Sequence, residues 1–196
     1  QRSAAYDATV EALRLAGAEP GDVVHAFGHS QGAMIGERLA TDSPFRVETA
    51  GSFGSPVQVD VPDHTLAVSL RHTDDPVSAL SGGSAEGTGS PDSFTVSRQG
   101  DPGTTFGDIW VDPHWLHSYE ETAAMVDESG DPRVAKLDDY WEEIGRAETI
   151  ERTEYHAERV IEYPVSAGDA AGDAADDAAD RAAVSRGGRA SAAGAE

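Results

Sequence analysis

Residues 28–32 read Gly-His-Ser-Gln-Gly, a serine framed by two glycines in the pattern G-x-S-x-G. An apolar run, Val23-Val24-His25-Ala26-Phe27, leads into it and predicts a buried strand. A stretch from about Gln31 to Thr41 leads out and predicts a helix. A serine hydroxyl is a weak nucleophile until a base activates it. A sharp strand-to-helix turn lifts it clear of the sheet and sets it at a helix N-terminus, where unpaired N–H groups stabilise negative charge. The glycines are expected to leave room for that turn, since side chains two residues either side of Ser30 would collide with the neighbouring strand or helix. The N–H of Gln31 is the expected oxyanion donor.

Such a serine needs a base, and the base needs an orienting carboxylate. A second strand candidate, residues 66–71, runs into His72-Thr73-Asp74-Asp75-Pro76-Val77. An acid just past the C-terminal end of a strand is where an open α/β sheet builds its site. Asp74 and Asp75 both qualify. Seven histidines compete for the base. His25 falls inside the first strand, and His29 flanks the serine too closely to fold back onto it. His64 and His72 precede the acid, against the order serine, acid, histidine that accompanies such a turn. His156 lies in a charged stretch. His114 and His117 remain, in a loop running into a helix.

Other chemistries find less support. His114-x-x-His117 with Asp108 and Asp112 lacks the H-E-x-x-H spacing and is not read as a metal site. The absence of cysteine excludes disulfides, thiolate metal sites and cysteine nucleophiles. No helix follows Gly82, Gly83, Gly87 and Gly89, so they match no phosphate loop. Trp110, Trp115 and Tyr119 read as core or pocket wall. With 36 acidic and 14 basic residues the formal charge is −22, which excludes nucleic acid and anionic membrane surfaces as partners. No apolar run approaches the roughly 18 residues of a membrane span, so no stable membrane insertion is expected.

The elements that must position these residues alternate. Residues 3–16 predict a helix with a stripe of Ala5, Tyr6, Val10 and Leu13, stopped at Gly17. Strands are predicted at 46–51, 66–71 and 94–98, and helices from about Trp115 to Glu128 and from Asp131 to about Gly145. Residues 149–163 fit either a terminal strand or a helix. Residues 81–92 and 100–113 read as loops. Alternation of this kind implies an α/β domain with a mostly parallel sheet. Four strands are few for a sheet covered on both faces, and the chain opens on Gln1. The first strands of the domain are therefore expected to lie upstream. From Ser166 onward the sequence reduces to Ala, Gly, Asp, Ser and Arg, which bury too little to offset ordering entropy. The expected division is a partial domain at 1–165 and a disordered tail at 166–196.

Four segments carry a resemblance: GHSQGA after its apolar strand, GSPV (54–57), RHTDDPVSAL (71–80) and PHWLHSYEETAAMVD (113–127). Together they resemble the α/β-hydrolase family, and more closely its lipase-like serine hydrolases common in actinobacteria, over about residues 3–163. The resemblance implies an incomplete α/β-hydrolase fold, a mostly parallel sheet with helices on both faces and its N-terminal strands missing. It makes Ser30 the nucleophile. It selects Asp75 as the acid, because the family's acid directly precedes x-V-P-x-L; Ser78 stands here in place of the proline. It selects His114 as the base, because the family segment begins H-x-[L/M]-x-x-Y and Leu116 and Tyr119 follow in register. His117 then takes a variable position. The implied activity is ester hydrolysis through an acyl-enzyme, on a small-molecule or lipid-like ester, with no cofactor. The alternatives are acyl transfer or thioester hydrolysis on the same triad, or a catalytically silent binding domain. The family's second oxyanion donor follows an early strand, so it is expected upstream of residue 23, and this chain alone is expected to be poorly active.

Overall fold

The computed structural model describes residues 3–79, 89–101, 112–158 and 184–191. Leu80, Gly82, Gly83, Gly87, Asp108 and Trp110 lie outside the described residues. The chain divides into two compact units, one of residues 1–18 with 149–196 and one of residues 19–148.

In the first unit, helix α1 spans Ala4–Leu15. Ser3 caps it by accepting the Tyr6 N–H at 3.2 Å, and Gly17 ends it at φ +100°. Its apolar stripe buries Tyr6 and Val10. Strand β5 (Glu151–Ala157) pairs antiparallel with β6 (Val184–Ser191). The ambiguous 149–163 segment thus contains a strand. Its partner falls inside the stretch expected to be a disordered tail, and the remaining tail residues lie outside the described ones. The composition argument tested whether the tail can bury a core. Ladder pairing asks only for backbone N–H and C=O groups, which β5 supplies.

The second unit holds a four-stranded parallel sheet in the order β1 (Val23–His29), β2 (Arg46–Phe53), β3 (Leu66–His72), β4 (Phe94–Arg98). All four strands stand where the sequence predicts them. Among the described residues β1 has a sheet neighbour on one side only, and Val23 and Phe27 are 44% and 45% exposed rather than buried.

Successive strand residues face opposite sides of a sheet, and here they meet different helices. Ala26 packs against Gly36 of helix α2 (Gln31–Asp42). The ring of the next residue, Phe27, lies 5.6 Å from that of Tyr140 in helix α4 (Ala135–Arg146). Helix α3 (Leu116–Asp127) shares the α4 face, where its Tyr119 and Val126 pack with Leu66, Val68, Leu70 and Phe94. Burial of side chains of this size contributes about 1.5–3 kcal/mol each and fixes α3 against β3. The architecture is α/β, with helices on both faces. A turn of 3-10 helix, Asp112–His114, leads into α3. Among the described residues no helix is long and apolar enough to cross a membrane.

Candidate active site

Strand β1 ends at His29 and helix α2 begins at Gln31, so Ser30 alone makes the turn. Its backbone sits at φ 55°, ψ −125°, and among the described residues it is the one non-glycine with positive φ. Such a conformation costs on the order of 1–3 kcal/mol and persists where neighbours hold it. Here the Ser30 N–H donates to the Phe53 carbonyl at 2.9 Å, and the Ser30 carbonyl accepts the Ala33 N–H at 3.1 Å. A Cβ on Gly28 would run into the backbone of Gly32 and Ala33. Gly32 corrects the sequence reading: a Cβ there meets nothing within 4 Å, because that side of the first helical turn faces open space. Steric need applies to one of the two glycines. Gln31 opens α2 exposed, and its N–H belongs to the first turn, which has no intrahelical acceptors.

Three side chains distant in sequence meet at this turn. His114 Nε2 lies 2.9 Å from Ser30 Oγ, and His114 Nδ1 lies 2.8 Å from Asp75 Oδ2. The Asp75 side chain is fully buried, while that of His114 is 18% exposed. Asp75 Oδ1 accepts backbone N–H groups from Val77 at 2.8 Å and Ser78 at 3.3 Å. Its Oδ2 accepts the Tyr119 hydroxyl at 2.7 Å in addition to His114. Burial pushes this carboxyl up, but the hydrogen bonds from His114, Tyr119 and Val77 more than offset it and hold Asp75 below the usual carboxylate range. Ser78, where the resemblance has proline, is buried, and its hydroxyl lies 3.1 Å from the carbonyls of both His72 and Asp75.

The loop carrying His114 is anchored by two other histidines. His72 Nδ1–H donates to the Pro113 carbonyl at 2.6 Å, and His29 Nε2–H donates to the His114 carbonyl at 2.6 Å. A carbonyl only accepts, so each tautomer follows from its partner. His72 Nε2 meets Thr122 Oγ1 at 2.7 Å, and that oxygen accepts Arg98 Nε–H at 2.7 Å. Burial pushes the His72 imidazole down, against the pull of the Pro113 carbonyl. Its ring stacks on Tyr119 at 3.9 Å and 7°.

The competing residues stand elsewhere. Asp74 turns away from the triad, and its two oxygens accept the N–H groups of Gly100 at 2.7 Å and Asp101 at 2.9 Å. His117 is exposed on the first turn of α3, and His64 and His156 are exposed. His25 Nδ1 lies 3.0 Å from Thr49 Oγ1. Among the described residues no cluster of His, Asp and Glu has the makings of a metal site. Trp115 is 57% exposed at the cap of α3, so it is not core; Tyr119 is buried. Three residues that serve the site escape sequence reasoning: His29, His72 and Tyr119. Proximity to the serine rejects His29 as a base and chain order rejects His72, and neither test asks whether they anchor the loop that carries His114. The available signal is their place at the C-terminal ends of β1 and β3, beside Ser30 and Asp75.

The geometry can move a proton from a serine hydroxyl to an imidazole and hold the resulting cation against a buried carboxylate. The chain has no match among protein-family models, curated proteins or solved structures.

Proposed function

We propose that this chain is a serine hydrolase of the α/β-hydrolase type, acting on esters through Ser30, His114 and Asp75. The observation that carries the reading is the unbroken series of contacts, 2.9 Å from Ser30 Oγ to His114 Nε2 and 2.8 Å from His114 Nδ1 to Asp75 Oδ2. It begins at a serine held in a strained turn. Ser30 Oγ attacks the ester carbonyl carbon as its proton passes to His114 Nε2. The carbonyl oxygen becomes an oxyanion, to which the Gln31 N–H donates. The C–O bond to the alcohol breaks, and the leaving alkoxide takes the proton from His114. Water repeats the sequence on the acyl-enzyme, releasing the acid and restoring Ser30. Asp75 holds the imidazole tautomer and faces the cation when it forms. The substrate is a small-molecule or lipid-like ester, and these steps use no cofactor.

A fluorophosphonate probe tests this, because it bonds only to an activated serine. Capture at Ser30, lost in Ser30→Ala and His114→Ala and kept in His117→Ala, is the expected result. Removing a triad member lowers ester turnover by several orders of magnitude. Absence of capture in the folded parent chain, or capture that survives Ser30→Ala, rejects the reading.

A further inference from the structure

The carboxylate that faces His114 is divided between two donors. Asp75 Oδ2 receives His114 Nδ1 at 2.8 Å and the Tyr119 hydroxyl at 2.7 Å, while Oδ1 is filled by the Val77 and Ser78 N–H groups. No part of this carboxylate is open to water. Tyr119 has little freedom to leave: it is 1% exposed, one ring face stacks on His72, and a Cβ on Gly54 would meet its ring at 2.9 Å. The His72 N–H, 3.3 Å from the hydroxyl oxygen, occupies an acceptor position on it and leaves the O–H directed at Asp75.

We propose that Tyr119 is a positioning residue that shares the acceptor oxygen of Asp75 with His114 and so restrains the basicity of the base. The inference rests on the triad reading above. A carboxylate oxygen that accepts two hydrogen bonds divides its charge between them, and each bond is weaker than it would be alone. Without Tyr119, Oδ2 belongs to His114, the Nδ1–H···Oδ2 bond strengthens, and the protonated imidazole is favoured. Burial and the neighbouring Asp75 push the Tyr119 phenol upward, so it remains a donor throughout the working range. Other ionisable groups face the same loop. The His29 ring lies 4.9 Å from that of His114, His72 holds Pro113, Arg98 reaches Thr122, and Arg71 and Asp74 lie beyond the two donors. A substitution at 119 replaces none of these charged groups; Tyr119→Phe also removes the acceptor of the His72 backbone N–H, which the fluorotyrosine chain keeps.

The test compares the 196-residue chain with Tyr119→Phe, which keeps the ring and removes the hydroxyl, and with 3-fluorotyrosine inserted at position 119, which keeps the volume and strengthens the donor. Two readouts are taken: the low-field proton resonance of His114 Nδ1–H, and the pH profile of fluorophosphonate capture. In Tyr119→Phe the resonance is expected to move downfield, and the acid limb of the profile to move up by about one pH unit. Fluorotyrosine is expected to move both readouts the opposite way. A Phe variant with parental resonance and profile, or a Phe and a fluorotyrosine variant that shift in the same direction, overturns the proposal. Should the Phe variant not fold, the fluorotyrosine chain decides alone: an upfield resonance supports the proposal and an unmoved or downfield one rejects it. If the parent is not captured at all, the hydrolase reading fails, and the proton resonance still judges the role of Tyr119.

Discussion

Asp74 and Asp75 are neighbours of identical chemistry, and a turn separates what they do. Asp75 points inward to His114, while Asp74 ties Gly100 and Asp101 to the end of β3. Asp75→Asn is therefore expected to lower ester turnover by roughly 10⁴-fold, because an amide supports the wrong tautomer and no cation. Asp74→Asn should lose far less, and the reverse order in a rate assay would reassign the acid. A second residue-scale prediction concerns Glu37, buried on α2 at 6% exposure with Oε2 lacking a hydrogen-bond partner. Burial, only partly opposed by the Ser52 hydroxyl, pushes its carboxyl from 4.5 up to about 7. Between those values the native chain holds a proton that the unfolded chain has released, so stability falls as pH rises through that window. Glu37→Gln mimics the neutral acid. Its melting temperature should match the parent near pH 4 and exceed it at pH 8, by up to about 3 kcal/mol in stability. An equal difference at both pH values would show that Glu37 does not titrate in this way.

At the scale of elements, the strand-to-helix turn decides how the serine is presented, and its two glycines are not equivalent. Gly28→Ala places a methyl group inside the backbone of Gly32 and Ala33, so the turn must open and capture of the fluorophosphonate should be lost. Gly32→Ala meets no neighbour and replaces a poor helix former with the best one. It should keep capture and gain up to about 1 kcal/mol, read as a higher melting temperature. Loss of capture in Gly32→Ala would mean that the substrate itself needs the space. The elements were largely legible in the sequence. Periodicity and glycine punctuation located β1 to β4 and α1 to α4 to within a few residues. The pairing of β5 with β6 was not legible, because a ladder made of backbone groups leaves little trace in a Gly- and Ala-rich sequence.

For the whole molecule, the side chains that build and brace the triad lie between Gly28 and Thr122, in the unit of residues 19–148. A chain ending at Val165 is accordingly expected to keep fluorophosphonate capture at Ser30 at the parental rate. A clear loss of rate would show that residues 166–196 contribute to the site.

Local sequence determined what local physics can encode: a G-x-S-x-G turn between an apolar strand and a helix, an acid after a strand end, and a histidine at the mouth of a helix. The order of these residues proposed Ser30 and left Asp74 or Asp75 as the acid and His114 or His117 as the base; Asp75 and His114 were then chosen by what the resemblance of the D-x-V-x-x-L and H-x-L-x-x-Y segments implies. Only tertiary structure decided how they are held. His29, His72, Thr122 and Tyr119 act through hydrogen bonds that span from 41 to 85 residues in sequence, or through a bond passed along one. No local pattern records such contacts, because a carbonyl such as that of Pro113 becomes an acceptor for one histidine only when β3 and the start of α3 are packed side by side. The same packing exposes Val23 and Phe27 and opens the space beside Gly32. Burial belongs to the arrangement of neighbours and not to the residue.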